Sequence, residues 1–141
     1  MPDIVYDGKR VSVAPGTNLV EAGLAAGVPV PVFCYHKDLG AVGSCRVCAV
    51  TVSQAGKSRM VMACMTAALD GMEVTTHDQA SIDLRKHVLE WLMENHPHDC
   101  PICDEGGECQ LQDLTIAAGH GIRRYRGVKR TFKNQHLGEF I

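Results

Sequence analysis

The alternation of hydrophobic and polar positions predicts an opening β-hairpin followed by a short helix. The largely apolar residues 4–6 and 11–13 read as two strands on either side of the pair Asp7-Gly8, which is a strong signal for a tight hairpin turn. Asn18 with Glu21 three residues later has the spacing of a capping box, and Gly27 can end the helix in the left-handed conformation. We therefore expect a hairpin and then a helix over about residues 19–26.

A change of hydrophobic period divides the chain near residue 78. Residues 47–52 and 59–63 supply apolar alternation for further strands, and a hairpin followed by a helix is how a β-grasp (ubiquitin-like) sheet begins. The sequence therefore predicts an α+β domain over residues 1–78. From residue 80 to 95 the pattern becomes helical, with Ser81 as a candidate cap, and Pro97 stops the helix because the residue before proline disfavours helical geometry.

The second predicted unit, residues 79–141, is small and helical. A loop rich in cysteine and glycine runs over 98–108, and a short helix over 110–118 is ended by Gly119. A basic segment with little hydrophobic pattern follows. It is either a solvated face, which is the commoner case, or a docking surface for an acidic partner. Its cations are Arg123, Arg124, Arg126, Lys129, Arg130 and Lys133.

Composition narrows the classes of protein to which the chain can belong. With 141 residues, 45% hydrophobic, 21% charged and a formal net charge of −2, it is typical of a soluble globular protein and a poor match for a nucleic-acid partner. The longest apolar stretch, 22–33, is interrupted by glycine and proline and is too short to span a bilayer. The first residues lack the basic start and apolar core of a signal peptide, so we expect a cytoplasmic or equivalent reducing compartment.

Seven cysteines in a reducing compartment indicate metal ligands or redox groups rather than structural disulfides. A first set of four is separated by ten, two and fifteen residues. Four thiolates suit a [2Fe–2S] cluster, and Gly40 and Gly43 let backbone N–H groups approach the cluster sulfurs. A four-cysteine zinc site is the alternative, although a zinc ribbon usually presents two Cys-x2-Cys pairs. The set is Cys34, Cys45, Cys48 and Cys64.

A second set combines a histidine with the three remaining cysteines. Histidine can replace cysteine on cluster iron, and a neutral imidazole leaves the site one unit less negative than a fourth thiolate would. The last cysteine stands near the start of a predicted helix, whose N-terminal dipole favours a negative cluster. Three cysteines and a histidine also form a common structural zinc set, and His98 is a second histidine beside the ligand position. The set is His96, Cys100, Cys103 and Cys109.

Nucleotide chemistry is not predicted for this chain. Gly106-Gly107 is no dinucleotide fingerprint, since there is no G-x-G-x-x-G between a strand and a helix, and there is no P-loop. We therefore expect neither a catalytic residue nor a nicotinamide or flavin site here.

The two ligand patterns, together with Gly40, Gly43 and the Asp-Glu-Gly-Gly-Glu-Cys-Gln-Leu-Gln stretch at 104–112, resemble the N-terminal iron–sulfur region of the G subunit of NADH-quinone oxidoreductase, respiratory complex I. The same pair of motifs occurs in the diaphorase small subunit of NAD-reducing hydrogenases, and in some iron-only hydrogenases and NAD-linked formate dehydrogenases. The resemblance implies a [2Fe–2S] cluster on the first four cysteines, in a ferredoxin-like β-grasp domain. It implies a [4Fe–4S] cluster on His96, Cys100, Cys103 and Cys109.

The resemblance also implies a role as an electron relay inside a larger assembly. Electrons taken from NADH at a flavin in a partner subunit would pass toward quinone, in a complex peripheral to the inner (plasma) membrane. Relatives continue past residues 129–132 into a further cysteine-rich [4Fe–4S] domain, whereas the present sequence ends at Ile141, which indicates a split or truncated subunit or an N-terminal part. A relay subunit of a hydrogenase or formate dehydrogenase, and a structural zinc module, are the alternatives.

Overall fold

The computed structural model describes residues 1–119, 124–131 and 138–139, so Arg123 and Lys133 of the basic segment lie outside the described residues. Its elements are strands β1 (Asp3–Tyr6) and β2 (Lys9–Ser12), helix α1 (Leu19–Ala25), strands β3 (Tyr35–His36), β4 (Gly40–Ala41), β5 (Ala49–Gln54), β6 (Lys57–Met62) and β7 (Glu73–Thr75), and helices α2 (Gln79–Asn95) and α3 (Gln110–Ala117). Short 3₁₀ turns occupy Ala63–Met65 and Cys100–Ile102.

The opening hairpin forms where the sequence predicts it. Asp7 and Gly8 both have positive φ, at 45° and 81°, as a two-residue hairpin turn with the twist of its strands requires. The Asp7 carboxylate then accepts hydrogen bonds from the N–H of Thr76 at 2.9 Å and from its hydroxyl at 2.5 Å. The turn is thereby fastened to the end of β7.

A five-stranded mixed sheet in the order β2-β1-β7-β5-β6 forms the body of the first half. The β1–β7 pairing is parallel and the other pairings are antiparallel. The strands expected at 47–52 and 59–63 are present but each is displaced by about two residues, to 49–54 and 57–62. β3 and β4 pair with each other in a separate small ribbon.

Helix α1 begins with half of the predicted capping box. The Asn18 side chain accepts from the N–H groups of Val20 and Glu21, both at 3.0 Å, which satisfies two backbone donors at the helix start. The Glu21 carboxylate accepts instead from the hydroxyl of Tyr35 at 2.6 Å. The helix therefore contributes a side chain to the loop that carries Cys34.

Two apolar clusters meet at the start of β5. The larger cluster lies between the sheet and α1, and it includes the buried side chains of Cys48 and Cys64. The smaller cluster contains Val47, which precedes β5 and packs with residues of α2 and α3, including Leu111. Val47 is 0% exposed, so the start of β5 is covered by both helices of the second half. The helical half is thus packed against the sheet half.

Helix α2 is one residue longer than expected and has a different cap. Asp78, rather than Ser81, caps it, and the Asp78 carboxylate accepts from the N–H of Ser81 at 3.0 Å. Ser81 is instead a residue of the first turn, and its hydroxyl lies 3.4 Å from the Thr51 hydroxyl of β5. The helix ends at Asn95 because His96, the residue before proline, is extended with φ −63° and ψ 132°.

The outer face of α2 is less buried than its apolar residues suggest. Trp91 is 62% exposed and stacks on His87 with ring centroids 6.3 Å apart. Across the described part of the chain, none of the helices combines the length and apolar character needed to cross a bilayer.

We predict that Gly23→Ala destabilises the protein, although alanine normally favours a helix interior by about 1 kcal/mol. A Cβ at residue 23 would lie 2.6 Å from the Val28 carbonyl oxygen and 3.0 Å from the Tyr6 ring, and overpacking of this kind costs about 1–3 kcal/mol. The midpoint of denaturant unfolding should fall.

The matched control is Leu24→Ala on the same helix, where the side chain is 54% exposed and little packing is lost. A Gly23→Ala variant as stable as the unmodified chain would contradict the close packing of α1 on Tyr6.

Candidate metal centres

The structure brings the first four cysteines together in two pairs. Cys48 and Cys64 flank the two ends of one hairpin, and their sulfurs are 3.3 Å apart inside the larger apolar cluster. Cys34 and Cys45 lie on the loop around β3 and β4, where the Cys45 N–H donates to the Cys34 sulfur at 3.2 Å. Burial and Cys48 are the main causes that raise the pKa of Cys64, and charge on Cys34 and Cys45 raises it further, so the two pairs lie within electrostatic reach of each other.

Backbone donors surround the Cys34 sulfur. Burial raises the pKa of this thiol, but hydrogen bonds from the backbone N–H groups of Cys45, Ser44 and Gly43 outweigh it, and the net pKa lies below its ordinary value. Gly43 has φ 72° and Arg46 has φ 64°, and these left-handed residues turn the loop around the sulfur. The loop is thus built to hold negative charge on sulfur.

Two other thiols of the first set, those of Cys64 and Cys45, are held in conditions that disfavour the thiolate form. Burial, the hydrogen bond with Cys48 and the charges of the remaining cysteines raise the pKa of Cys64 to about 12. Burial likewise raises the pKa of Cys45. A cationic group that binds all four sulfurs removes this repulsion and displaces the protons. The donor set therefore fits a metal centre, and two pairs of thiols fit a centre with two metal ions, each of which takes two thiolates.

A polar clamp holds the residue next to Cys34. Besides donating to Glu21, the Tyr35 hydroxyl accepts from the Asn18 side-chain amide at 3.2 Å. Burial is the main cause that raises the pKa of Tyr35, and Glu21 raises it further, so the hydroxyl stays protonated. Tyr35 stands beside a predicted ligand in the sequence, but its partners lie 14 and 17 residues away, and no local pattern indicates them.

The second set lies at the two helix ends that face one loop. His96 follows α2, Cys100 begins a 3₁₀ turn, and Cys109 immediately precedes α3. Cys103 is exposed, whereas Cys100 and Cys109 are half-buried. Within the part of the chain that the structure describes, neither set brings three or more His, Cys, Asp or Glu side chains close enough to hold one metal ion together.

The path of the cysteine loop depends on Gly106. The Cys103 N–H donates to the Cys100 carbonyl at 3.3 Å, and the Gly106 N–H donates to the Cys103 carbonyl at 2.9 Å. A Cβ at residue 106 would lie only 2.3 Å from the Cys100 oxygen. Only glycine allows this close approach, so the loop wraps tightly beside the start of α3. There, the Cys109 side chain does not cap the first N–H groups, and the helix dipole favours an anionic group.

The basic segment is fastened to the end of α2. Arg124 makes a bidentate ion pair with Glu90, with Nε to Oε1 at 2.6 Å, and the Arg130 N–H donates to the Asn95 side chain at 2.9 Å. The Lys129 ammonium donates to the carbonyl oxygen of His96. Cations near a helix C-terminus interact favourably with the helix dipole, and their N–H groups can satisfy the last carbonyls. The sequence predicted either solvation or partner docking for this segment and gave no sign of this intramolecular use.

Two contacts join the loops of the two centres. The Gln110 side-chain amide donates to the Val32 carbonyl at 2.7 Å. Gln110 directly follows Cys109, and Val32 precedes Cys34 by two residues. In addition, Cys45 and Cys109 both pack against the smaller apolar cluster. The loops of the two candidate centres are therefore in direct contact and pack on the same apolar cluster. The division of the sequence into two units did not predict this contact.

Two family models match successive parts of the chain. Residues 3–79 match a family model described as the 2Fe-2S iron-sulfur cluster binding domain. Residues 85–124 match a second model, described as the NADH-ubiquinone oxidoreductase-G iron-sulfur binding region. The chain therefore carries a binding domain for a [2Fe–2S] cluster, followed by a [4Fe–4S] region.

Similar proteins share most of this chain. It is 52% identical over 144 aligned residues to the G subunit of NADH-quinone oxidoreductase from Buchnera aphidicola subsp. Baizongia pistaciae (strain Bp), and 51% identical to that from Escherichia coli (strain K12). Each alignment covers 100% of this chain and 16% of the relative, so the chain spans about a sixth of the length of these proteins.

A solved structure has the same fold. The crystal structure of an NAD⁺-reducing [NiFe]-hydrogenase in the H₂-reduced state superposes with a TM-score of 0.83 at 30% sequence identity. The match covers 94% of this chain and 55% of the hydrogenase chain.

We predict that Tyr35→Phe makes the [2Fe–2S] cluster easier to lose. The change removes both hydrogen bonds of the clamp, each worth about 0.5–1.5 kcal/mol, while the ring is kept. The visible absorption of the cluster should bleach several-fold faster in the presence of a chelator.

The matched variant Glu21→Gln keeps an oxygen acceptor for the Tyr35 hydroxyl and should bleach at close to the original rate. Equal bleaching of Tyr35→Phe and the unmodified protein would show that the clamp does not hold the cluster loop.

Proposed function

The chain belongs to the family of 2Fe-2S iron–sulfur cluster binding domains, in the form found in the G subunit of NADH-quinone oxidoreductase, and we propose that it is the electron-transfer region of such a subunit. The observation that carries the proposal is the gathering of four thiols in two pairs, with backbone N–H groups around Cys34. A site of this kind fits a cationic core with two metal ions, and the core together with its four thiolates is anionic.

The ligand assignment follows the two sets. We propose that the paired thiols of the first set hold the [2Fe–2S] cluster within a domain spanning residues 1–78. The second set, in residues 79–141, holds the [4Fe–4S] cluster. The tight loop at Gly106 and the start of α3, which has no side-chain cap, support the second assignment. The ligands are Cys34, Cys45, Cys48 and Cys64 for the first cluster, and His96, Cys100, Cys103 and Cys109 for the second.

The topology supports a β-grasp assignment for the first domain. An N-terminal hairpin is followed by α1, then by the β5–β6 hairpin, and the closing strand β7 inserts between the hairpins parallel to β1. The helix packs across this sheet through Leu19, Val20 and Ala22. The arrangement places both ends of the β5–β6 hairpin, and so Cys48 and Cys64, beside the loop that carries Cys34.

When bound, each cluster supplies one-electron oxidation and reduction at nearly fixed geometry. The residues of the chain hold the ligands and set their surroundings. Burial of Cys48 and Cys64 excludes water from one side of the first site, while the N–H groups around Cys34 stabilise negative charge on the other. No acid, base or nucleophile of this chain takes part.

The proposed role is a relay within NADH:quinone oxidoreductase. Electrons reach this region from a flavin-bearing, NADH-binding partner subunit and leave toward quinone through other subunits. The enzyme activity belongs to the complex, which we place on the cytoplasmic side, peripheral to the inner membrane. The proposal is supported by relatives of 51% and 52% identity that are named as the G subunit of this enzyme.

A relay subunit of a hydrogenase is the second candidate. It is favoured by the similarity of this fold to the NAD⁺-reducing [NiFe]-hydrogenase, but the 30% identity there is well below the 51% identity to the G subunit from Escherichia coli (strain K12). Identification of the chains that co-purify with this protein distinguishes the two candidates, and also tests a formate dehydrogenase. The structural zinc alternative does not agree with either family match, since both describe iron–sulfur binding.

We predict that anaerobically prepared protein contains about six irons and six labile sulfides per chain, as one [2Fe–2S] and one [4Fe–4S] cluster require. Iron, zinc and sulfide analysis on the same sample is the measurement. Stoichiometric zinc without sulfide would defeat the proposed function.

Cys48→Ala is the matched variant for the assignment of ligands. It removes one thiol of the buried pair, so iron and sulfide should each fall by about two per chain. A loss of about four irons and four sulfides per chain, with the [2Fe–2S] signal retained, would instead assign Cys48 to the [4Fe–4S] centre.

We predict further that His96→Ala loses or degrades the [4Fe–4S] centre, whereas His98→Ala keeps it. His96 is fixed at the end of α2, its carbonyl is bound by Lys129, and three residues separate it from Cys100, so the chain can wrap around a cluster. His98 has only Asp99 before Cys100. Paramagnetic resonance of the two reduced variants is the measurement, and the opposite pattern would assign the ligand to His98.

A further inference from the structure

We propose that Arg85, on the helical half of the chain, is a positioning residue that raises the reduction potential of the [2Fe–2S] centre. The inference rests on the proposed ligands of that centre and adds to them a cation from outside its domain. It depends on how the Arg85 guanidinium is held, on which charges surround it, and on its contrast with the adjacent Lys86.

The guanidinium is anchored to the strand that follows a proposed ligand. Arg85 is half-buried, and its Nε and Nη2 donate to the Ala49 carbonyl at 3.2 and 3.0 Å. Nη2 also donates to the carbonyl of Thr76, just after β7. Ala49 directly follows Cys48, whose own carbonyl accepts from Ala63, the residue before Cys64. Arg85 therefore holds the backbone on which the buried pair of thiols stands.

The acceptors of these hydrogen bonds are neutral. Carbonyl oxygens satisfy the donors of a guanidinium without balancing its charge, and removal of a cation from water is costly unless negative charge lies nearby. Burial lowers the pKa of Arg85 and is the largest effect. Negative charge on four neighbours raises this pKa, in decreasing order Asp78, Tyr6, Asp7 and Cys48. Cys48 is the member of this group that the proposed function places on iron.

The position of the cation sets the sign of its effect. A reduced [2Fe–2S] cluster with four thiolates carries one more negative charge than the oxidised form, so a fixed positive charge nearby stabilises the reduced form. Two unit charges roughly 10 Å apart, at an effective dielectric constant of about 20, change an equilibrium constant by roughly tenfold. Arg85 is therefore expected to raise the potential of this centre.

The adjacent residue provides a comparison within the same helix. Ser81, Arg85 and Leu89 are four residues apart, so Arg85 stands on the helix face that packs against the sheet, between two buried residues. Lys86 carries the same charge one residue later but is exposed, and solvent screens exposed charges strongly. Of these two cations, Arg85 is the one expected to act on the centre.

The test is a redox titration of the full, cluster-loaded chain, monitored by paramagnetic resonance. In Arg85→Met the reduced-to-oxidised ratio of the [2Fe–2S] centre at a fixed solution potential should fall about tenfold, which corresponds to about 59 mV for one electron. Arg85→Gln keeps an N–H donor for the Ala49 carbonyl but lacks the charge, so its reduced-to-oxidised ratio should fall by a similar factor. Arg85→Lys should retain most of the original potential, and Lys86→Met should leave it unchanged.

Each outcome bears on the inference. An unchanged [2Fe–2S] potential in Arg85→Met or Arg85→Gln overturns it, and so does an equal shift in Lys86→Met. Loading of the centre in Arg85→Lys but in neither neutral variant supports a requirement for the charge. Loss of the signal in all three Arg85 variants, Lys included, gives the residue a purely structural role and overturns it. If the unmodified chain shows no [2Fe–2S] signal, the proposed function itself fails.

Discussion

The register of one antiparallel hairpin determines whether the proposed first metal site can form. Ala49 pairs with Met62, and the Ala63 N–H donates to the Cys48 carbonyl, so the residue before β5 stands beside the turn that begins after β6. The fifteen residues between Cys48 and Cys64 are the two strands, their turn and the start of this 3₁₀ turn. Side chains alternate between the faces of a sheet, so a slip of one residue would separate the two sulfurs. Their 3.3 Å contact depends on this pairing.

Local signals in the sequence predicted the local structure well. The Asp7-Gly8 turn, the Asn18 cap and the end of α2 before Pro97 are all observed. Each depends on the conformational preference of a few consecutive residues, which is visible in the sequence. The cap of α2 was misplaced because two residues with capping side chains, Asp78 and Ser81, stand three positions apart, and nothing local decides between them. β7 has only three residues and depends on pairing with β1 and β5, so no periodicity could reveal it.

The candidate ligands were predictable because their chemistry depends on residue type and spacing, whereas their surroundings were not. Tyr35 reaches Glu21 across 14 residues, Arg85 reaches Ala49 across 36, and Gln110 reaches Val32 across 78. Each of these contacts exists only once the sheet and helices have packed. The polar residues that surround the sites therefore appear in the sequence as ordinary surface positions. Their identification requires the tertiary structure.

The contacts that attach the basic segment to α2 become possible late in synthesis, after both cysteine sets have been made. All four cysteines of the first set have left the ribosome once residue 64 has emerged, and β7 follows within about a dozen residues. The second set needs residue 109, and the contacts of Lys129 and Arg130 with the end of α2 form only after about twenty more. A chain delivered from its N-terminus thus presents all four cysteines of the first set before the last cysteine of the second set has emerged.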